Sequence, residues 1–160
     1  RGIAGQTPNL TELQDKLIIV LMIPPFDKRG NLPPGIYTAT LKEIEHKFAS
    51  TVNRRRLFNG LKRLLENLKA AGCTTLYLDG SFTTHKEERS DYDCIWDPTG
   101  VTPAIDQDIL KPLEIRKAKY LGDIFVYTPE HGGFPYLEYF QRDQDDNSKG
   151  IIKIDLRKPL

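Results

Sequence analysis

The sequence predicts an α+β domain in which helices flank a mixed β-sheet, with a β-hairpin at the C-terminus. Leucines recur at helical spacing between Leu57 and Leu68. Short runs rich in β-branched and aromatic residues follow, and turn residues separate them. The 160 residues suit one domain, and a composition of 39% hydrophobic and 28% charged residues excludes wholesale disorder.

The start of the domain is indicated by Met22, the only methionine, which precedes Ile-Pro-Pro-Phe. We therefore interpret residues 22–160 as one domain and residues 1–21 as an N-terminal extension of uncertain origin. The longest apolar run, residues 17–23, is too short to cross a bilayer, and acidic residues precede it. These features predict a cytoplasmic protein with no membrane partner.

The first elements are predicted to be two helices. Thr40 and Glu43 have the spacing of a capping box, which starts a short helix that runs to about Phe48. Asn53 is the expected N-cap of a longer helix that carries the leucine stripe, and Gly72 ends that helix.

Basic residues surround the leucine stripe of the longer helix: Arg54, Arg55, Arg56, Lys62, Arg63 and Lys69. They are interpreted either as a solvated helix face or as a patch that binds phosphate or RNA. The net charge of +1 gives no global attraction to nucleic acid, so RNA binding would depend on such a local patch.

The remaining elements are mostly strands. Strands are expected at residues 74–78, 91–96 and 124–127, and a helix within residues 105–120, where Pro112 lies near its first turn or at a break. Residues 136–141 and 151–156 are predicted to form the two strands of the C-terminal hairpin.

The first chemical signal is the end of the strand that precedes Gly80 and Ser81. A glycine lets the backbone approach a ligand closely, and free N–H groups with a serine hydroxyl form a small anion cradle. Lys86 and Arg89 follow within the next ten residues. These two side chains either reach a phosphate or form ordinary polar surface.

The second signal is the pair Asp91 and Asp93 at the start of a strand. Residues two apart on a strand project to one face, so the two carboxylates repel each other. A hard dication removes that conflict, and Mg²⁺ prefers carboxylates, waters and substrate phosphates. The alternative is a turn followed by two solvent-facing acids. Cys73, Cys94 and the three histidines lack zinc-ligand spacing.

A strand, Gly-Ser, a spacer and Asp-x-Asp on a second strand resemble the signature of the DNA polymerase β-type nucleotidyltransferase superfamily. Within it, the chain resembles the minimal nucleotidyltransferases of bacterial toxin–antitoxin modules and a related, largely uncharacterised bacterial family. The motifs shared with that uncharacterised family are Ile-Pro-Pro-Phe (23–26), Leu-Pro-Pro-Gly (32–35), Arg-Arg-Arg (54–56), Ala-Gly-Cys (71–73) and Lys-Gly-Ile-Ile-Lys-Ile-Asp (149–155).

The resemblance implies a nucleotidyltransferase fold and a third metal-binding carboxylate on a later strand. Asp123 is the first choice for that carboxylate, and Asp155 and Glu138 are its rivals. The implied catalytic and metal-binding residues are Asp91, Asp93 and Asp123, and the implied phosphate-binding residues are Gly80, Ser81, Lys86 and Arg89.

The implied activity is transfer of a nucleotidyl group from an NTP such as ATP to a hydroxyl of RNA or protein, with Mg²⁺ or Mn²⁺. The implied partners are the nucleotide, a tRNA or other RNA, or a cognate toxin or antitoxin protein. The alternative is an inactive nucleotidyltransferase-fold module that binds a partner as an antitoxin or regulator.

Overall fold

The computed structural model describes residues 23–85, 90–128 and 136–160. In chain order the elements are β1 (Ile36–Thr38), α1 (Leu41–Phe48), α2 (Val52–Ala70), β2 (Thr75–Asp79), a 3₁₀ turn (Ser81–Thr83), β3 (Tyr92–Trp96), a second 3₁₀ turn (Gln107–Leu110), α3 (Leu113–Tyr120), β4 (Gly122–Val126), α4 (Tyr136–Phe140) and β5 (Ile151–Asp155). The predicted α+β class with a mixed sheet is confirmed. The proposed extension, residues 1–21, lies outside the described residues.

The sheet has the strand order β1-β5-β2-β3-β4. Its central strand β2 runs antiparallel to both β5 and β3, whereas β3 and β4 are parallel, as are β1 and β5. The C-terminal ends of β2 and β5 therefore point in opposite directions along the strand axis. This arrangement separates residues 79 and 155, which each end a strand.

One face of the sheet carries the hydrophobic core. The stripe Leu57, Leu61, Leu64, Leu65 and Leu68 of α2 is buried to 1% exposure or less. It belongs to one cluster with alternate residues of the strands, among them Leu76, Leu78, Cys94, Ile124 and Ile152. Because side chains alternate along a strand, residues 79, 93 and 123 project from the other face.

Helix starts follow local capping chemistry. The capping box of Thr40 and Glu43 is confirmed: the Thr40 side chain accepts from the Glu43 N–H, and the Glu43 carboxylate accepts from the Thr40 N–H. The prediction of Asn53 as the N-cap of α2 is wrong. Thr51 takes that role, because its Oγ1 accepts from Arg54 N at 3.1 Å. Gly72 follows α2 with a φ of +94°, as its predicted role requires.

The predicted C-terminal hairpin is wrong in its first arm, because Tyr136–Phe140 is a short helix. Its second arm is confirmed as β5, which pairs with β1 and β2. The helix expected within residues 105–120 is divided into a 3₁₀ turn and α3, and Pro112 stands immediately before α3. No helix in the described ranges is long and apolar enough to cross a membrane.

Candidate active site

Three aspartates form a row across the face of the sheet that α2 does not cover. Asp79 is paired with Asp93 in the β2–β3 register, and Asp93 is paired with Asp123 in the β3–β4 register. All three line a cavity of about 570 Å³. The sequence-predicted Asp93 and Asp123 therefore lie on neighbouring strands, and Asp79 is an additional carboxylate, beside Asp91, Asp93 and Asp123, that the motif analysis did not assign.

Asp91 lies just before β3 and lines the same cavity, as do Gly80 and Ser81. The turn that contains Ser81 therefore faces the aspartates, rather than the opposite side of the sheet. This placement brings together five of the residues predicted from the motif: Gly80, Ser81, Asp91, Asp93 and Asp123. Lys86 and Arg89 lie outside the described residues.

The two rivals of Asp123 lie elsewhere. Asp155 is paired with Thr75 at the far end of β2 and forms a salt bridge with Arg157, in which Oδ1 lies 2.9 Å from Nε. Glu138 lies on α4 and is exposed. Neither lines the cavity of the aspartates, so the geometry favours Asp123 as the third carboxylate.

Gly80 allows the turn to lie directly against Asp93. Its φ is +78°, and a Cβ at this position would stand 2.0 Å from Asp93 Oδ2. Both the backbone conformation and the space therefore require glycine. Ser81 then opens the 3₁₀ turn, whose first N–H groups have no acceptor within the turn itself.

The side chain of Arg54 supports this turn through hydrogen bonds to its backbone carbonyl groups. It is 7% exposed, and its guanidinium donates to the carbonyl oxygens of Phe82 at 2.7 Å, Thr84 at 3.0 Å and Ser81 at 3.3 Å. Both interpretations of Arg54, as part of a solvated helix face and as part of a surface patch for phosphate or RNA, are therefore wrong. Arg55 and Arg56 remain exposed on α2.

The carboxylates perturb one another. Burial is the largest cause that raises the pKa of Asp93, to about 6, and the negative charges of Asp123, Asp79 and Asp91 add to it. Repulsion between like charges on adjacent strands disfavours the ionised form of a carboxyl group. The site therefore concentrates negative charge and favours a bound cation.

Two lysines partly neutralise the aspartates. Lys149 Nζ lies 2.9 Å from Asp79 Oδ1, and both residues are at least nine-tenths buried. Lys117 Nζ lies 2.5 Å from Asp91 Oδ2 and 3.3 Å from Asp123 Oδ1. Neither lysine was predicted from the sequence. Lys149 had a weak signal, as the first residue of the Lys-Gly-Ile-Ile motif.

A sharp connection places Lys117 beside the site. Leu121 adopts a left-handed conformation with a φ of 64°, so α3 passes into β4 within one residue. Lys117 in the last turn of α3 thereby returns over Asp123 near the start of β4.

Within the described ranges, no group of three or more His, Cys, Asp or Glu side chains is arranged to hold a metal ion.

These features define a class of protein: a small α+β domain with an acidic cavity at the shared end of β3 and β4 and a glycine turn against it. The chain belongs to DUF6932, a family of unknown function, whose profile matches residues 24–155. No curated protein and no solved structure matches the chain. The resemblance to nucleotidyltransferases stays a prediction from the sequence motifs.

Proposed function

We propose that this protein is a metal-dependent nucleotidyltransferase, which transfers a nucleotidyl group from an NTP to a hydroxyl of RNA or protein. The supporting observation is that the Gly80–Ser81 turn and the carboxylates of Asp91, Asp93 and Asp123 line one cavity. An anion cradle and a set of cation-seeking side chains thus face the same space. In a metal–triphosphate complex, the cation matches the carboxylates and the negatively charged phosphates match the Gly80–Ser81 turn.

The chemical type of the donors suits a hard dication such as Mg²⁺ or Mn²⁺, whereas the carboxylates of the described residues are not arranged around a common metal position. All the acidic ligands are oxygen donors, which these ions prefer. Asp123 Oδ1 is buried, and Lys117 Nζ, at 3.3 Å, occupies the position of a cation beside it. Asp91, Asp93 and Asp123 are the residues that would hold the metal, and binding would require Lys117 to leave Asp91 and Asp123.

The proposed reaction joins the acceptor oxygen to the α-phosphorus and breaks the bond between that phosphorus and the oxygen that bridges to the β-phosphate. Pyrophosphate leaves, and the proton of the acceptor hydroxyl passes to a base or to water. Bound dications would stabilise charge on the attacking and leaving oxygens. The protein's own contribution is to orient the triphosphate against the Gly80–Ser81 turn and to hold the carboxylates in register.

Labelling with each of four α-³²P NTPs in the presence of Mg²⁺ or Mn²⁺, with total tRNA and with protein acceptors, tests this proposal. Wild-type protein is expected to label an acceptor, and Asp91→Asn/Asp93→Asn protein is not. Asp145→Asn, an exposed position, is the matched control and should retain the activity. Equal labelling by wild-type and double-variant proteins contradicts the proposal.

A second candidate is a nucleotidyltransferase-fold module without turnover, which binds a partner as an antitoxin or regulator. The specific observation that favours it is the pairing of Lys117 with both Asp91 and Asp123, which satisfies two of the three carboxylates without a metal. Calorimetric titration with Mg²⁺ and a non-hydrolysable ATP analogue separates the two. Absence of binding favours the module, whereas binding and labelling favour the enzyme.

A further inference from the structure

The cavity continues beyond the carboxylates to an aromatic wall. Phe125 and Phe140 both line it, with ring centroids 5.8 Å apart and ring planes inclined at 56°. Phe125 is half-buried. At about 570 Å³, the cavity has the size of a typical small-molecule site, which is larger than a metal ion and its waters require.

The aromatic wall stands in a fixed relation to the acidic row. Phe125 follows Asp123 by two residues on β4, so both side chains project from the same face. Two residues along a strand correspond to roughly 7 Å. In the neighbouring strand, Ile95 is paired with Phe125 and is fully buried, so Phe125 provides the ring that lines the cavity at this level of the sheet.

We propose that Phe125 is the stacking surface for the nucleobase of the bound NTP. This inference rests on the proposed function. Phe125 and Phe140 are the aromatic members of the cavity lining, whose other members are charged or polar side chains and Gly80, and a phenylalanine ring presents a flat apolar face. Bases stack on aromatic side chains with little dependence on base identity, so purine and pyrimidine nucleotides both bind.

The spacing also suits the proposed type of transfer. A single ribose separates the base from the α-phosphate, whereas the γ-phosphate lies two phosphate groups farther away. A stacking surface roughly 7 Å along the strand from Asp123 is compatible with an α-phosphate at the carboxylates.

Calorimetric titration with two probes in the presence of Mg²⁺ tests the inference. One probe is α,β-methylene-ATP, and the other is inorganic tripolyphosphate, which lacks the base and ribose. Wild-type protein is expected to bind the nucleotide about tenfold more tightly than tripolyphosphate. Phe125→Ala is expected to lose this difference while tripolyphosphate affinity stays unchanged.

Additional variants separate stacking from folding. Phe125→Leu keeps an apolar side chain without a ring and should behave like Phe125→Ala, whereas Phe125→Trp should retain nucleotide affinity. Tyr77→Ala, on the same sheet face but outside the cavity lining, is the control and should bind both probes as wild type does.

Equal affinity of wild-type protein for nucleotide and tripolyphosphate overturns the stacking role and leaves the proposed function standing. Full nucleotide affinity in Phe125→Leu overturns it as well. Failure of both probes to bind wild-type protein would overturn the proposed function and the stacking role together.

Discussion

The Cα of Gly80 lies so close to Asp93 that an added methyl group would meet Asp93 Oδ2 at 2.0 Å. The turn that follows β2 and the second carboxylate of the Asp-x-Asp pair are therefore in direct contact. A substitution that moves the backbone of Gly80 away from Asp93 therefore shifts Ser81 relative to the carboxylates.

Gly80→Ala is expected to destabilise the protein by about 2–4 kcal/mol, because it combines a positive φ with this clash. Gly100→Ala is the matched control. Gly100 has nearly the same φ, +76°, but its nearest neighbour would be Gly72 O at 4.0 Å. Urea unfolding of the two variants separates the backbone effect from the clash, and equal losses would contradict the close approach to Asp93.

Asp93→Asn is expected to stabilise the protein at neutral pH. The folded state raises the pKa of Asp93 to about 6, so it binds this proton more tightly than the unfolded chain does. The free energy of unfolding of the wild-type protein therefore falls as the pH rises from about 4 to 6. In the Asp93→Asn variant this decrease is absent, because asparagine does not ionise.

Urea unfolding at pH 4, 5, 6 and 7 measures this effect. The variant should gain about 1–2 kcal/mol over wild type between pH 4 and pH 7, a value reduced for partial solvent screening. Asp145→Asn, at an exposed position, should show no such trend. A gain that is independent of pH would mean that the ionisation of the buried Asp93 carboxyl group is not its cause.

Lys117→Met is expected to tighten Mg²⁺ or Mn²⁺ binding about two- to fivefold, because the ammonium competes for Asp91 and Asp123 at a cost of about 0.5–1 kcal/mol. Lys119→Met is the control, since Lys119 pairs with Asp106 and Asp108. Calorimetric titration without nucleotide measures both. Weaker metal binding by Lys117→Met would show that the lysine supports the carboxylates instead of competing for them.

Arg54→Met is expected to destabilise the protein by about 2–4 kcal/mol, because it leaves buried carbonyls of the Ser81–Thr84 segment without their charged donor. Arg55→Met should change stability by less than about 0.5 kcal/mol, since Arg55 is exposed. Thermal unfolding compares the two variants. Equal effects would contradict the assignment of Arg54 as the support of this turn.

Local patterns in the sequence determined α1, α2 and the strands β2, β3, β4 and β5, but not β1 or α4. The leucine stripe of α2 and the capping box at Thr40 depend on contacts within a few residues, so periodicity and spacing identify them. Gly80, Ser81, Asp91 and Asp93 were found for the same reason, because their signal lies in two short segments. The prediction of a strand at 136–141 was wrong because six residues carry too little periodicity to separate a strand from a helix.

Only the tertiary structure decided which distant residues complete the site. Strand register aligns Asp79, Asp93 and Asp123, whereas Asp155 lies at the opposite end of β2 because β2 and β5 are antiparallel. Lys117 reaches Asp91 and Asp123 because α3 packs beside β4. Lys149 reaches Asp79 from the segment that immediately precedes β5. Arg54 is one of three consecutive arginines, and only burial against the turn distinguishes it from its neighbours, since that contact joins residues far apart in the chain.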